Sequence, residues 1–189
     1  LALPIGLLAA RFRSRVSAAL ESVSYVGLAL PGIVVGLSLV FFSLSVVPGL
    51  YQSALMLAFA YGVLFLPKAV GAVRASVEQV EPGLEDVARV LGSTRARVWA
   101  RVTARIAWPG IGAGVLLVAL AAMKELPATL LLRPTGTDTL ATSLWRLTER
   151  AAYGAAAPYA LMLIAVAVGP ALLLTREAVA TLREVRESP

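Results

Sequence analysis

Long uncharged stretches alternate with short charged ones along this sequence. The first stretch, between Glu21 and Lys68, is too long for one membrane span of about 20 residues but has the right length for two. Pro48 and Gly49 interrupt it, so we predict two spans joined by a tight hairpin. Residues 1–10 are too short to cross alone and are interpreted as the end of a span that begins outside the sequence. The predicted spans are 1–10 in part, 27–47, 53–73, 106–123 and 153–174.

The composition favours an all-α, polytopic transmembrane helical bundle. Hydrophobic residues make up 59% of the 189 residues and charged residues 15%, and the mean hydropathy is +0.82. A soluble domain of this size cannot hide so much apolar surface, whereas a lipid bilayer accommodates it. We therefore expect a single transmembrane domain over residues 1–189, taken from a longer chain because the sequence starts without Met.

The basic residues fall unequally on the two sides that these spans define, 13 against 4 of the 17 present. Because basic loops resist translocation, the richer side is predicted to be cytoplasmic, together with the C-terminus. Its members are Arg11, Arg13, Arg15, Lys68, Arg74, Arg89, Arg95, Arg97, Arg101, Arg105, Arg176, Arg183 and Arg186. The opposite side holds Lys124, Arg133, Arg146 and Arg150. Since the basic residues lie between apolar runs and form no aromatic-interleaved patch, no nucleic-acid partner is expected.

The cytoplasmic connection, residues 76–105, has a helical pattern. Pro82 cannot sit deep in a helix, so a helix is predicted to begin near Gly83 or Leu84, with Glu85 and Asp86 in its first turn. One face of this helix is apolar and comprises Leu84, Val87, Val90 and Leu91.

The end of this helix and the start of the next are also marked. Gly92 is predicted to stop the first helix, and Ser93 or Thr94 to cap a second, basic one that contains Arg95 and Arg101. From the residues alone, two interpretations stay open: an element that docks a partner protein, and an interfacial helix that lies on anionic lipid.

The segment EDVARVLGSTRARVWARVTARIAWPG, residues 85–110, resembles the cytoplasmic loop of binding-protein-dependent ABC importer permeases. The loop of that family has Glu-Ala-Ala, three residues, Gly, nine residues, Ile, one residue and Leu-Pro. Aligned on Gly92, this sequence has Asp86-Val87-Ala88 at the first positions and Val102 at the Ile position. It departs from the pattern in the larger Val87 and in Ala104-Arg105, where Leu-Pro is usual.

A second segment, KELPATLLLRPTGTDTLATSLW at residues 124–145, resembles the ferric-iron type of these permeases. Two permease halves are commonly fused in that type, so the resemblance implies the C-terminal half of such a protein. It implies ferric iron as the solute, with thiamine, polyamines, phosphonate or another anion as alternatives.

The resemblance also implies a fold, a location and partners. The fold is that of the type I importer permeases, with multiple spans in the bacterial cytoplasmic (inner) membrane. The partners are cytoplasmic ABC ATPase subunits, an extracytoplasmic solute-binding protein and a second permease half, fused or separate. The chain would bind no cofactor, since ATP and magnesium belong to the ATPase. The residues expected to dock the ATPase are Leu84, Glu85, Asp86, Val87, Ala88, Arg89, Leu91 and Gly92.

The outer segment, residues 124–152, holds three further candidates. Lys124, Glu125 and Asp138 either line the solute entrance or have ordinary roles. In the second interpretation Lys124 and Glu125 reach the membrane interface, and Asp138 caps a helix that begins beside it.

Other functions are weighed against the permease. A secondary carrier usually needs carboxylates buried in its spans, and the predicted spans contain none. A structural anchor needs no glycine-ended docking helix. An intramembrane enzyme or a metal site is disfavoured because the sequence lacks both cysteine and histidine.

Overall fold

The computed structural model describes the backbone of residues 1–12 and 14–187, and the side chains in those ranges except those of Pro82 and residues 173–187. Arg13 and the side chains of Arg176, Arg183 and Arg186, which the charge count assigns to the cytoplasm, lie outside the described residues. Every regular element in the described ranges is a helix, which confirms the all-α prediction.

The helices follow one another with short connections. They are α1 (Ala2–Arg11), α2 (Arg15–Ala29), α3 (Gly32–Val46), α4 (Ala54–Glu78), α5 (Pro82–Val90), α6 (Arg95–Val98), α7 (Ala104–Met123), α8 (Pro127–Leu132), α9 (Leu140–Glu149) and α10 (Tyr153–Glu187). A 3-10 turn, Pro48–Leu50, forms the hairpin after α3. A π-helical turn, Trp99–Thr103, joins α6 to α7, so the predicted basic helix runs without a break into the span predicted at 106–123.

Three helical segments in the described chain are long and apolar enough to cross a membrane: Ala54–Glu78, Arg95–Met123 and Tyr153–Leu172. They cover the spans predicted at 53–73 and 106–123 and most of the one at 153–174. A fourth is counted only if α2 and α3 form one broken span.

The span predicted at 27–47 is wrong at its start. Residues 27–29 belong to α2, and Leu30 is extended, with φ −93° and ψ 123°. Pro31 disfavours helical geometry for the residue before it, and Leu30 has left the helical conformation, so α2 ends at Ala29. The following helix, α3, begins at Gly32 and has 15 residues, fewer than the roughly 20 that a span needs.

The residues pack into two compact units, each with its own core. In the first unit, residues 1–31 and 61–118, α4 and α7 approach through small side chains. A Cβ atom on Gly110 would collide with Ser76, and one on Gly114 with Ala72. This spacing of small residues four apart lets two helices pack closely inside a membrane. Beside this crossing lies a core of Val73, Val77, Val80 and Ala107.

The second unit comprises residues 32–60 and those from 119 onward. Its core contains Met56, Ala60 and Leu132. Gly36 of α3 lets α8 come close, since a Cβ atom there would lie 3.2 Å from the Cα atom of Ala128. Because each unit has a separate core, a single domain over residues 1–189 stays a prediction.

Candidate docking site

Helix α5 starts at Pro82, slightly before the predicted start at Gly83 or Leu84. Proline suits the first turn because its fixed φ is helical and the N–H that it lacks would have no intrahelical acceptor there. Glu85 lies in the first turn and Arg89 in the last, the arrangement that the helix dipole favours.

The helix ends in a left-handed turn at Gly92, as predicted, with φ +82°. The Gly92 N–H donates to the Arg89 carbonyl at 2.9 Å, and the Ser93 N–H donates to the Ala88 carbonyl at 3.1 Å. These two bonds satisfy carbonyl groups that the helix end would otherwise leave free, in the pattern of a Schellman motif. The end of α5 is therefore fixed by backbone geometry that only glycine adopts without strain.

Replacing Gly92 with valine is expected to destabilise the protein by about 1–3 kcal/mol, because a β-branched residue is strained at positive φ. Gly83→Ala is the control. Gly83 lies within α5 with nothing near its Cβ position, so alanine there should be neutral or stabilising. Thermal unfolding midpoints of the two purified variants measure the difference, and equal midpoints would contradict the role given to Gly92.

The apolar face of α5 points away from the unit's core. Leu84, Val87, Val90 and Leu91 are 48%, 59%, 87% and 80% exposed. The same side chains would be buried if the helix used this face to pack against its own unit. An exposed apolar patch on a short helix whose C-terminal end is fixed by Gly92 is typical of an interaction surface.

On its opposite side, α5 is held to the rest of the first unit by hydrogen bonds to Glu85. Its Oε1 atom accepts a hydrogen bond from the Arg11 Nη2 atom of α1 and another from the Thr103 hydroxyl of the π turn, both at 2.7 Å. The same Arg11 nitrogen also donates to the Val80 carbonyl at 2.9 Å. The Arg11 and Glu85 side chains are only 17% and 21% exposed, so water screens this ion pair weakly.

The other predicted docking residues occupy the flanks of the helix. Asp86 and Arg89 pair with each other on the exposed surface, and Ala88 is half-buried. Glu85 is the exception among the expected docking residues, because its Oε1 atom accepts two hydrogen bonds within the first unit. Asp86 is therefore the carboxylate of α5 that stays accessible to a partner.

The outer candidates lie in the second unit and have internal contacts. The Glu125 carboxylate accepts a hydrogen bond from the Ala128 N–H at 3.0 Å, at the start of α8. It also lies against Gly32 at the start of α3, where a Cβ atom would come within 2.8 Å of its Oε1 atom. Two positive helix ends thus surround this carboxylate, whereas Lys124 is exposed.

The prediction that Asp138 caps α9 is wrong. The N-cap is Thr139, whose hydroxyl accepts the Thr142 N–H at 3.2 Å while the Thr142 hydroxyl accepts the Thr139 N–H at 2.8 Å. Asp138 instead binds two arginines, Arg133 and Arg146, the latter at 3.0 Å. Both carboxylate oxygens are engaged by cations, so the neighbouring threonine takes the cap.

The Glu125→Gln variant separates a structural role from a solute-binding one. Glutamine keeps an oxygen that can accept the Ala128 N–H, so we expect uptake within about twofold of wild type. Glu125→Ala removes the acceptor and should cost about 1 kcal/mol of stability. Uptake assays on both variants, with insertion checked by membrane fractionation, decide the matter. Uptake lost in the glutamine variant at normal insertion would instead place the charge in the solute path.

Sequence reasoning missed the partners of Glu85. Arg11 and Thr103 are 74 and 18 residues away from it along the chain. No local pattern marks either residue, since Arg11 ends a short apolar helix and Thr103 is embedded in a basic one.

Comparison with known proteins identifies the family. The family described as binding-protein-dependent transport system inner membrane component matches residues 2–176. The Fe(3+)-transport system permease protein FbpB 2 of Haemophilus influenzae is 40% identical over 177 residues, which cover 94% of this chain and 35% of that protein. The chain thus spans about a third of the length of this curated relative. Its apolar helices and its family together make it a multi-pass inner membrane protein. The chain belongs to the inner membrane components of binding-protein-dependent transport systems, the permeases of ABC importers.

Proposed function

We propose that this protein forms part of the solute pathway of an ATP-driven importer and receives force from a cytoplasmic ATPase through α5. The observation that carries the proposal is the exposed apolar face of α5, formed by Leu84, Val87, Val90 and Leu91. The opposite side of this helix is held by the hydrogen bond from Arg11 to Glu85. Such a face is unfavourable in water, and a partner that buries it would bind there.

Burial of this face supplies a moderate docking energy. At about 25 cal/mol per Å2 of apolar area, three or four such side chains contribute several kcal/mol before ordering costs are subtracted. The ordering cost is small for α5, because Gly92 and Pro82 already define its ends. A contact of this size holds a partner and still allows it to shift during an ATP cycle.

The hydrogen bonds of Glu85, on the side of α5 opposite the apolar face, would transmit the movement of a docked partner to the first unit. When α5 is displaced, the Glu85 carboxylate pulls on Arg11 of α1 and on Thr103 of the π turn. Both residues belong to helices that lead into the apolar part of this unit. The hydrogen-bonded carboxylate is thus the mechanical link between the cytoplasmic surface and the membrane helices.

The remaining parts of the importer are proposed from the family. The ATPase would be a separate subunit that binds ATP and magnesium, and this chain would hold no cofactor of its own. A solute-binding protein would deliver the solute on the other side, and a second permease half, fused or separate, would complete the pathway. The excess of basic residues in the loops before and after the spans supports a cytoplasmic C-terminus.

Ferric iron is the solute that the comparisons favour. The relative named as an Fe(3+)-transport permease is 40% identical over nearly the whole chain. Thiamine, polyamines and phosphonate are the competing solutes. Uptake of radioactive ferric iron, measured in cells with and without the gene, tests this assignment. Iron uptake that is unchanged by deletion, together with lost uptake of a competitor, would replace it.

Co-purification tests the coupling proposal against the alternatives. When the full-length protein is extracted from its native membrane in mild detergent, we expect an ATPase subunit to accompany it. A structural anchor or a carrier would be recovered without one. The carrier is also disfavoured by the three apolar helices in the described chain, where the only carboxylate is Glu78 at the very end of α4.

A further inference from the structure

We propose that the first unit binds one anionic phospholipid, with the phosphate among arginines and an acyl chain in an adjoining apolar cleft. Two clefts lie side by side in this unit. The polar cleft has a volume of about 640 Å3 and the apolar cleft about 320 Å3. Leu7, Trp99 and Thr103 line both, so a single ligand can occupy the two clefts together.

The polar cleft carries a net positive charge. Its lining residues include three arginines, Arg11, Arg89 and Arg95, and a single acidic residue, Glu85. Arg11 pairs with Glu85, and Arg89 pairs with Asp86 outside the cleft lining. Arg95 forms no ion pair among the described side chains, so it remains available to an external anion. A phosphate diester supplies acceptor oxygens for charge-assisted hydrogen bonds to such a group.

The apolar cleft is suited to hydrocarbon. None of its lining residues is charged. Beyond the three shared residues, its walls include Leu3 and Pro4 from α1, Val73 from α4 and Trp108 from α7. Its apolar walls can pack against an acyl chain without burying a charged group.

The order of the two clefts along the helices matches the order of headgroup and tail. On α1 the polar cleft is lined by Arg11 and the apolar cleft by Leu3, further from the charge. On the helix that runs from Arg95 to Met123, the polar cleft begins at Arg95 and the apolar cleft extends to Ile111. The uncharged stretch 106–123 starts between these two points. On both helices the basic residues lie at the polar cleft and the apolar residues at the apolar cleft. This matches an anionic lipid, whose charged headgroup is followed by apolar acyl chains.

The π turn builds the junction of the clefts. Its first residue, Trp99, and its last, Thr103, are two of the three residues that line both clefts. π turns are rare and occur often at functional sites. The indole of Trp99 is 47% exposed, and tryptophan favours the level between headgroups and acyl chains. Basic pockets of this kind on membrane helices suit anionic headgroups.

The ligand class follows from the charges. A phosphatidylglycerol-type lipid carries one negative charge and two acyl chains, so it complements both clefts. A phosphatidylethanolamine-type lipid adds an ammonium group that the arginines repel. Arg95 and the apolar cleft lie outside the exposed apolar face of α5, whereas Glu85 and Arg89 of that helix line the polar cleft. The lipid site and the docking face are therefore adjacent but distinct.

Native mass spectrometry of the full-length permease tests the site. The protein is purified in detergent containing equal amounts of phosphatidylglycerol and phosphatidylethanolamine, and the retained lipid is counted. We expect one phosphatidylglycerol to be retained preferentially, and Arg95→Gln to lower its occupancy about fivefold, as loss of one basic group predicts. Arg97→Gln is the matched control, since Arg97 is exposed on the same helix and lines neither cleft.

A second pair of variants tests the apolar cleft without changing the charge of the protein. Ala104→Leu fills the apolar cleft and should also lower retention, whereas Ala100→Leu, on an exposed position outside both clefts, should not. Equal retention in all variants, or equal loss in Arg95→Gln and Arg97→Gln, would overturn the proposal. Displacement of the lipid by millimolar inorganic phosphate would identify a free-anion site instead. Co-purified ATPase is measured in the same samples, so failure of the lipid site and failure of docking are distinguishable.

Discussion

Replacing Val87 with aspartate is expected to release the ATPase from the purified permease and to lower solute uptake by about 30-fold or more. Val87 lies in the middle of the exposed apolar face of α5 and is 59% exposed, so the change costs the free protein little. In the complex the new carboxylate would be buried without a partner. A loss of at least about 2 kcal/mol, typical of a central interface residue, corresponds to this factor.

The matched control is Gln79→Asp. Gln79 is exposed in the same connection, just before α5, and lies outside the apolar face. It adds the same charge near the same surface, so it should keep both the ATPase and the uptake within about twofold of wild type. If both variants lose the ATPase, a general charge effect is responsible and the docking face is refuted.

Removing the Glu85 carboxylate is expected to separate docking from coupling. Glu85→Ala leaves the mostly buried Arg11 guanidinium without its counter-charge and the Thr103 hydroxyl without its acceptor. Loss of a hydrogen bond to a charged group costs about 1.5–3 kcal/mol, which lowers the unfolding midpoint by about 5–10 °C for a chain of this size. Because the apolar face is untouched, the ATPase should remain bound while uptake falls about tenfold.

A double-mutant cycle assigns the effect to the pair. The double variant, Arg11→Met with Glu85→Ala, should be less destabilised than the sum of the single variants, since each single variant leaves one charge unpaired and the double variant leaves none. Asp86→Ala, which breaks only the exposed pair with Arg89, should cost less than about 0.5 kcal/mol. Additive losses in the cycle, or release of the ATPase from Glu85→Ala, would contradict a role in positioning.

The sequence predicts the membrane helices well where charge limits them. The uncharged stretches 53–73 and 106–123 are covered by α4 and by α7, since a helix satisfies the backbone hydrogen bonds of an apolar segment internally. The start of the span predicted at 27–47 is wrong because composition alone does not show a break. Leu30 and Pro31 are as apolar as their neighbours, and no sequence pattern distinguishes Pro31, which follows a helix end, from Pro67 and Pro109, which lie inside helices.

Some features of helix α5 depend only on residues close in sequence, and others depend on distant residues. The apolar face of α5 and its stop at Gly92 depend on residues within one helix length, so periodicity and one glycine were enough to predict them. The inward direction of Glu85 depends on Arg11, which is 74 residues away, and no single-sequence pattern connects them. The cap of α9 shows a third case. Asp138 and Thr139 are both good N-caps, and the two arginines that engage Asp138 decide between them.

The most direct measurement of docking is a cross-link from position 87. These 189 residues contain no cysteine, so Val87→Cys introduces the one thiol within this sequence, and Gln79→Cys provides the control position. In native membranes treated with a short thiol-to-amine cross-linker, we predict a product between Cys at position 87 and the ATPase subunit, with a yield that changes when ATP is added. No product from position 87, or equal yields from positions 87 and 79, would contradict docking through the apolar face of α5.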